Sequence, residues 1–389
     1  MTGVREDAEA AVAVENNILQ VKKLKGRTKE KSRELYQEIF SEDSEAFVDY
    51  YYKYKAAENE IYGVVDERET LLSMLHLNPC QICLGGVAVS SQYIVAVATR
   101  EDYRHQGLMS RLIHCSLRDM YEKKEPFTFL MPAAEAIYRP FDFRFIYRQC
   151  QYELKTSEYK SGTELSCRPA TEQDLKELSV WAQRRLQEDF CTYVMHTEPY
   201  FRQMLAEQAS QQGQVMLITE ADRICGYFFT ACEGGAEVRE PIIEKRYLSR
   251  LPGILTEYFG GDERIRVFGG SIGVGEEDVR QTPMIMARVV HLAAFVKCLS
   301  AKRTVSFEIE IEDSLIKENR GVFRLTIDCK GGYLERLTDR EAAWKMTAGE
   351  FTSLAFGSVS VQELHAPEAE ARQWGLVNGF SPVMINEVV

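Results

Sequence analysis

Apolar positions recur along this chain in two rhythms, every second residue and every third or fourth, and their succession predicts its elements. Residues 18–24 read as a first strand, followed by a helix over 28–40 whose inner side carries Leu35, Ile39 and Phe40. Ser41-Glu-Asp-Ser44 supplies N-cap residues for a second helix bearing Phe47, Tyr50, Tyr51 and Tyr54. Aromatics at helical spacing are first of all core, although a ring at a cavity edge serves both packing and recognition. Strands at 60–65 and 70–77 flank the polar hairpin Asp66-Glu-Arg-Glu69; further strands are predicted at 82–89 and 93–99. After a polar turn, Met109, Leu112, Ile113, Leu117 and Met120 mark one face of a helix. Another strand over 127–131 ends at Pro132, a helical turn spans 135–141, and a strand returns over 144–154.

Around residues 155–162 the chain turns polar, and Arg168-Pro-Ala-Thr171 opens a second copy of the same grammar. Helices at 172–187 and 200–208 precede strands at 215–219 and 224–230, joined by the hairpin Glu220-Ala-Asp-Arg223. Residues 237–243 are the counterpart of the strand at 93–99, but Glu244-Lys-Arg-Tyr-Leu-Ser-Arg-Leu follows without a glycine turn. From Thr282 the pattern changes again. An apolar strand at 284–290 leads into a helix ending near Leu299, and 305–311 and 322–327 alternate as half-buried antiparallel strands do. Short helices at 348–356 and 366–377 precede an apolar tail with Val383, Met384 and Ile385.

Length and composition sharpen this picture. A chain of 389 residues implies two or three domains, and 45% hydrophobic with 27% charged residues is an ordinary globular balance. No apolar run approaches the roughly 20 residues of a membrane span, and residues 1–17 lack a signal layout and read as a flexible lead-in. A cytoplasmic location is expected, with the ten cysteines reduced and mostly buried. The formal charge of −12 argues against nucleic acid as a partner and suits a cationic small molecule.

Candidate chemistry concentrates between Tyr93 and Phe143. A β-branched strand, a charged turn containing Gly107 and a new helix form an anion site, because the first helical N–H groups lack partners and carry partial positive charge. Arg100, Arg104, His105 and Arg111 add cations, so the turn suits a pyrophosphate. An ordinary strand-turn-helix would show the same outline. Arg104-His-Gln-Gly107-Leu-Met109 resembles the acetyl-CoA motif of the GNAT acetyltransferases, R/Q-x-x-G-x-G/A, with Met109 where Gly or Ala is usual. Together with Met131-Pro-Ala-Ala-Glu-Ala-Ile-Tyr138-Arg-Pro-Phe-Asp-Phe143 and the ending Ile385-Asn-Glu-Val-Val389, it resembles the enhanced intracellular survival (Eis) subfamily from about Ile18 to Val389.

That resemblance implies a mixed α/β (α+β) architecture: a catalytic GNAT domain over 1–157, a degenerate GNAT-like domain over 158–283 and a sterol-carrier-like domain over 284–389. It implies acetyl-CoA as cosubstrate, held by backbone groups of Val97, Ala98 and Thr99, by Arg104, His105, Gln106, Gly107, Leu108, Met109 and Ser110, and by Ala134 and Glu135. A backbone N–H of 97–99 would also polarise the thioester carbonyl, worth roughly 3–4 kcal/mol. Tyr138 takes the family's general-acid position; an ordinary phenol pKa near 10 sits close to a thiol's, roughly 8.5. A core-packing ring is the alternative. The resemblance makes the α-carboxylate of Val389 the base, with Glu387 and Glu135 as rivals. It further implies a hexamer and, as acceptor, a primary amine of an aminoglycoside-like polycation; polyamine, peptide or lysine amines are the competing acceptors. No metal is expected: His76 with Cys80-Gln-Ile-Cys83 lacks the second ligand pair that a structural zinc wants. A non-catalytic acyl-CoA or apolar-ligand binding protein is the reading from another class, favoured by bulk at Met109 and opposed if that side chain turns into the core.

Overall fold

The computed structural model describes residues 19–160, 164–231, 235–260 and 264–387. β1 (Gln20–Leu24) leads through a 3-10 turn into α1 (Lys31–Ile39). The Ser44 hydroxyl caps α2 (Glu45–Tyr50) by accepting the Phe47 N–H at 3.3 Å. The long second helix expected from the aromatic spacing is interrupted. One π-helical turn, Tyr51–Lys55, intervenes before the short α3 (Ala56–Glu58), and it turns Lys55 inward while Tyr54 stays on the surface.

β2 (Glu60–Val65), β3 (Leu71–Leu84) and β4 (Val87–Thr99) form an antiparallel meander. No separate strand spans 82–89. Gly85 (φ +60°) and Gly86 (φ +86°) make a two-residue hairpin turn inside that apolar run, which therefore belongs to the ends of two long strands. α4 (Leu108–Glu122) connects β4 to the parallel β5 (Phe127–Leu130); α5 (Glu135–Tyr138), a 3-10 turn and β6 (Arg144–Lys155) follow. Side-chain alternation on β2 splits the core. Ile61 and Val65 pack with α1 and α2 on one face, whereas Tyr62 and Val64 pack with Leu112, Ile113 and Leu117 of α4 on the other.

The second copy repeats this path. β7 (Ser166–Pro169), α6 (Leu175–Asp189), β8 (Thr192–Val194), α7 (Glu198–Ser210), β9 (Val215–Glu220), β10 (Arg223–Ala231), β11 (Glu237–Ile243), α8 (Leu251–Phe259) and β12 (Arg264–Phe268) follow in order. β11 and β12 are parallel, as β4 and β5 are. The copies then exchange their closing strands. β13 (Arg280–Val289), which follows the second copy, pairs with β5; β6, which follows the first, pairs with β12; and β6 and β13 pair with each other. One sheet results, in the order β1-β2-β3-β4-β5-β13-β6-β12-β11-β10-β9-β7. The apolar strand expected at 284–290 thus lies in this large sheet.

After α9 (Leu292–Lys297) and β14 (Ser300–Ala301), β15 (Val305–Glu312), β16 (Gly321–Asp328), β17 (Gly331–Leu337) and β18 (Lys345–Thr347) build a second sheet, ordered β17-β16-β15-β18. α10 (Ala348–Ala355) and α11 (Glu368–Trp374) cover it, and Phe307, Trp344, Phe351 and Trp374 fill the space between. β19 (Val377–Asn378) pairs with β14, and β20 (Val383–Met384) runs parallel to β8, whose other side pairs with β3. The chain's last described residues are therefore wedged between the two copies. Among the described residues no helix is long and apolar enough to cross a membrane.

A buried ion pair ties the C-terminal sheet to the first copy. Arg288 and Asp313, both fully enclosed, meet at 2.7 Å, and Arg288 Nη1 also donates to the Phe141 carbonyl at 2.9 Å. Asp313 accepts the N–H groups of Leu315 and Ile316, each at 2.9 Å, and the Asn319 amide at 3.0 Å. Truncating one partner leaves the other charge buried and unpaired. Asp313→Ala is expected to lose about 3–5 kcal/mol in chemical denaturation; a loss below about 1 kcal/mol would show the pair to be dispensable.

Candidate active site

The site starts from a defect in one strand. Met74 pairs with Ala98, but His76 pairs with Val95, so β4 carries one extra residue there, and Ala96 takes φ +48°. Pairing with β5 stops just before, at Ile94 opposite Leu130. From Val95 to Thr99 the edge of β4 that faced β5 opens onto a gap. The Ser73 hydroxyl donates to the Ala98 carbonyl at 2.9 Å and lies 2.8 Å from the Thr99 hydroxyl, fixing the far end of that edge.

α4 begins at this gap. Its N-cap, Gly107, has φ +74°, and a Cβ there would meet nothing within 4 Å, so the backbone is open to a ligand. Arg104, His105 and Gln106 are exposed, with Arg104 Nε held on the Thr99 carbonyl at 3.2 Å and the Gln106 amide on the Asp102 carbonyl at 3.1 Å. Leu108 is buried, and the Met109 side chain packs against the same apolar cluster, leaving its backbone rather than its bulk towards the turn. Ser110 is half-buried. Two of the four cations named from the sequence are committed elsewhere. Arg100 binds Glu34 at 2.8 Å, Glu38 at 2.5 Å and the Leu71 carbonyl at 2.9 Å, and Arg111 donates to the Leu19 carbonyl at 2.8 Å.

Tyr138 ends α5 beside the gap. Its ring shares a cluster with Ile94 of β4, Leu108 of α4 and Leu130 of β5, and meets Phe143 edge-on at 6.1 Å. Among the described residues its hydroxyl has no hydrogen-bond partner. Burial pushes its pKa up to about 12, so the phenol stays protonated across the neutral range and is a weaker donor than an ordinary tyrosine. Ala134 caps the same short helix, and Glu135 pairs with Arg139 at 2.6 Å near the surface. Phe143 N–H reaches back to the Tyr138 carbonyl at 3.4 Å, and the approach of Gly349 leaves no room for a Cβ, which would lie 2.7 Å from the Asp142 carbonyl.

On the other side of β4 lies a cavity of about 460 Å³ between the two copies. Tyr93 and Asn78 from β4 and β3, Tyr54 and Lys55 from the π-helical turn, Tyr200 from α7 and Glu387 from the tail all line it. The Tyr93 hydroxyl donates to the Glu387 carbonyl at 3.1 Å, and the Gln149 amide donates to Asn386 Oδ1 at 2.6 Å, so the tail is anchored rather than loose. Burial raises the pKa of Glu387, while Lys55 pulls it down. Burial opposes the charge on Lys55, but Glu207 and Glu387 outweigh it and lift its pKa; Lys55 Nζ lies 3.4 Å from Glu207, which also accepts the Tyr50 hydroxyl at 2.7 Å. Burial, Glu387 and Glu207 raise the pKa of Tyr93. Val388 and Val389, the latter the base expected from the sequence, lie outside the described residues.

Behind Tyr200 sits a second polar cluster. Tyr200 stacks on His196 at 4.2 Å, Tyr227 lies 2.9 Å from His196 Nδ1 and donates to Glu240 at 2.9 Å, and His196 Nε2 lies 3.3 Å from Glu240. Burial lowers the His196 pKa to about 3 and raises that of Glu240 to about 8, so both are neutral near pH 7. Glu240 stands at φ +50° in β11, at the bulge matching Ala96 of β4. In this copy the chain fills its own gap: Ser271 N–H donates to the Pro241 carbonyl at 2.6 Å, and a Cβ on Gly270 would lie 2.3 Å from that oxygen. At the start of α8, a Cβ on Gly253 would lie 2.8 Å from the Lys160 carbonyl.

Cys80 and Cys83 are an odd number of residues apart on one strand and point to opposite faces, while His76 Nδ1 lies 2.9 Å from the Tyr51 hydroxyl. Lys55, Glu207, Asn78, Tyr200 and Glu240 escaped the sequence reading. They come from separate elements of both copies, and no local spacing brings them together.

Residues 20–146 match a family model described as an acetyltransferase (GNAT) domain, and residues 292–369 one described as a sterol carrier protein domain. No curated protein matches the chain. Among solved structures, a probable N-acyltransferase of Enterococcus faecalis V583 is 20% identical with a TM-score of 0.80, over 95% of this chain and 99% of its own. A GCN5-related N-acetyltransferase of Anabaena variabilis is 15% identical with a TM-score of 0.81, over 95% and 100%. Eis1 of Mycobacterium abscessus is 13% identical with a TM-score of 0.66, over 94% of each chain. At these identities the likeness is one of fold.

Glu240 gives stability a pH dependence of defined sign. Its carboxyl binds a proton more tightly folded, with a pKa of about 8, than unfolded, near the ordinary 4.5. That contribution is fully present below the unfolded value and is lost as pH rises through the folded one. The thermal midpoint of Glu240→Gln relative to wild type is therefore expected to rise steadily between about pH 5 and pH 9. A difference that does not change with pH would sink the assignment.

Proposed function

We propose that the chain, whose residues 20–146 match a GNAT acetyltransferase domain and residues 292–369 a sterol carrier protein domain, is an acyltransferase that moves an acetyl group directly from acetyl-CoA to a primary amine of a small molecule. The observation that carries this reading is convergence: the gap opened at Ala96, the glycine-capped start of α4 and the buried phenol of Tyr138 meet on one side of β4, with a cavity entered by the tail on the other. The proposed division of labour follows the domain limits 1–157, 158–283 and 284–389. The first binds acetyl-CoA, the second closes the acceptor cavity, and the third delivers the tail.

In this mechanism the N–H groups at the start of α4, with Arg104 and His105, hold the pyrophosphate. The free edge from Val97 to Thr99 holds the pantetheine arm and polarises the thioester carbonyl, and Ala134 and Glu135 border the arm. The acceptor enters as an ammonium and loses a proton to the tail carboxylates, with Val389 as the proposed base and Glu387 beside it. The amine attacks the carbonyl, a C–N bond forms and the C–S bond breaks. Tyr138 protonates the departing thiolate and regains a proton from the nitrogen by way of solvent. Acetyl-CoA and R–NH3⁺ thus become CoA thiol, the acetamide and one proton. Burial raises Tyr138, and the desolvation that a bound thiol meets in the same gap raises it too, which restores the match between donor and acceptor. The acidity of the chain supports a cationic acceptor, whether an aminoglycoside-like polycation or a polyamine, peptide or lysine amine.

Two measurements test this. Tyr138→Phe is expected to lower kcat for thiol release about 100-fold while acetyl-CoA binding by calorimetry persists; unchanged turnover removes Tyr138 from the mechanism. Adding residues after Val389, or deleting the last three, is expected to abolish turnover while circular dichroism shows the protein still folded, and full activity with an extended terminus would exclude its carboxylate.

A further inference from the structure

Resting on the acetyltransferase reading, the geometry points to the class of acceptor: we propose that the cavity takes an amine with a single ammonium on a neutral, hydrogen-bonding body, with Glu387 as the ammonium seat and Asn78 as the reader of the body. The charges around the cavity decide how many cations it can hold. Lys55 is spoken for by Glu207, which also accepts the Tyr50 hydroxyl, and Arg202 is paired with Glu172 at 3.1 Å and Glu198 at 2.8 Å. Of the lining carboxylates, Glu58 stands on the exposed rim, whereas Glu387 is partly buried inside. Among the described residues, Lys55 offsets one of the carboxylates of Glu207 and Glu387, which leaves one for one ammonium. A second ammonium in the same space would be stripped of water and would hold the terminal carboxylate that the reaction needs free as its base.

The walls favour the same guest. Tyr54, Tyr93 and Tyr200 line the same cavity as Glu387, and aromatic walls suit a cation. Asn78 lines the cavity with only 6% of its surface exposed, and among the described residues both its Nδ2 and its Oδ1 lack any hydrogen-bond partner. Buried polar atoms without partners are rare, and a side-chain amide offers one donor and one acceptor side by side. A neutral amide or hydroxyl on the guest satisfies both; a second ammonium satisfies the oxygen alone and opposes the N–H2.

Thiol release from acetyl-CoA, measured with glycylphenylalaninamide, 2-phenylethylamine, spermidine and kanamycin, tests the selection. The expected kcat/KM for glycylphenylalaninamide exceeds those of spermidine and kanamycin by about tenfold or more. Glu387→Gln is expected to raise its KM by about tenfold or more. Asn78→Leu is expected to raise the KM of glycylphenylalaninamide while leaving that of 2-phenylethylamine, which has an ammonium but no hydrogen-bonding body, within about twofold. A preference for kanamycin or spermidine, or an equal effect of Asn78→Leu on both monoamines, overturns the proposal. Calorimetric titration of glycylphenylalaninamide separates this from the transferase reading. Saturable binding that Glu387→Gln abolishes upholds the seat even without thiol release, an outcome that would sink only the transfer reaction. Absence of binding overturns the seat itself.

Discussion

Everything at the site depends on β4 leaving β5. A parallel pair of strands satisfies its own edges, and such an edge has nothing to offer a ligand. The extra residue at Ala96 bends β4 away after Ile94, and the edge from Val95 to Thr99 is freed just where α4 presents its first N–H groups. A left-handed alanine costs the backbone something, and it persists because the paired strand on either side over-determines it. Tyr138 is buried at the same parting, so its raised pKa and its position come from one cause.

The second copy shows what happens when the same parting is not left open. Glu240 repeats the left-handed bulge, and β11 and β12 separate as β4 and β5 do. There Ser271 and Gly270 run against Pro241 and take up the freed edge. Backbone groups that one copy leaves to a ligand, the other gives to its own chain. The exchange of β6 and β13 joins the copies into one sheet and fixes their faces against each other, which gives the cavity two walls that neither copy has alone.

The tail completes the enclosure. β20 pairs with β8, Gln149 holds Asn386 and Tyr93 holds the Glu387 carbonyl, so a segment that would fray in isolation is pinned inside the protein. Pinning brings the Glu387 carboxylate near Lys55 and Glu207 in a poorly solvated space, where an odd charge matters far more than it would at the surface. The Arg288–Asp313 pair, by holding the Phe141 carbonyl, links the C-terminal sheet that carries this tail to the turn that carries Tyr138.

Local pattern by itself determined most of the order of elements, the duplication and the Gly107 turn with its helix. These are written in spacing, because periods of two and of three to four are local properties of the backbone. The apolar run at 82–89 misled the strand reading because both arms of its hairpin are buried and only the glycine pair marks the turn. Arg100 looked like a phosphate ligand because neighbouring sequence cannot reveal that Glu34 and Glu38 of α1 reach it first. Tertiary structure alone decided the bulge at Ala96, the strand exchange, the filled second gap and the meeting of Lys55, Asn78, Glu207 and Glu387. Each of those joins residues distant along the chain, and such contacts are set by packing and burial rather than by any period in the sequence.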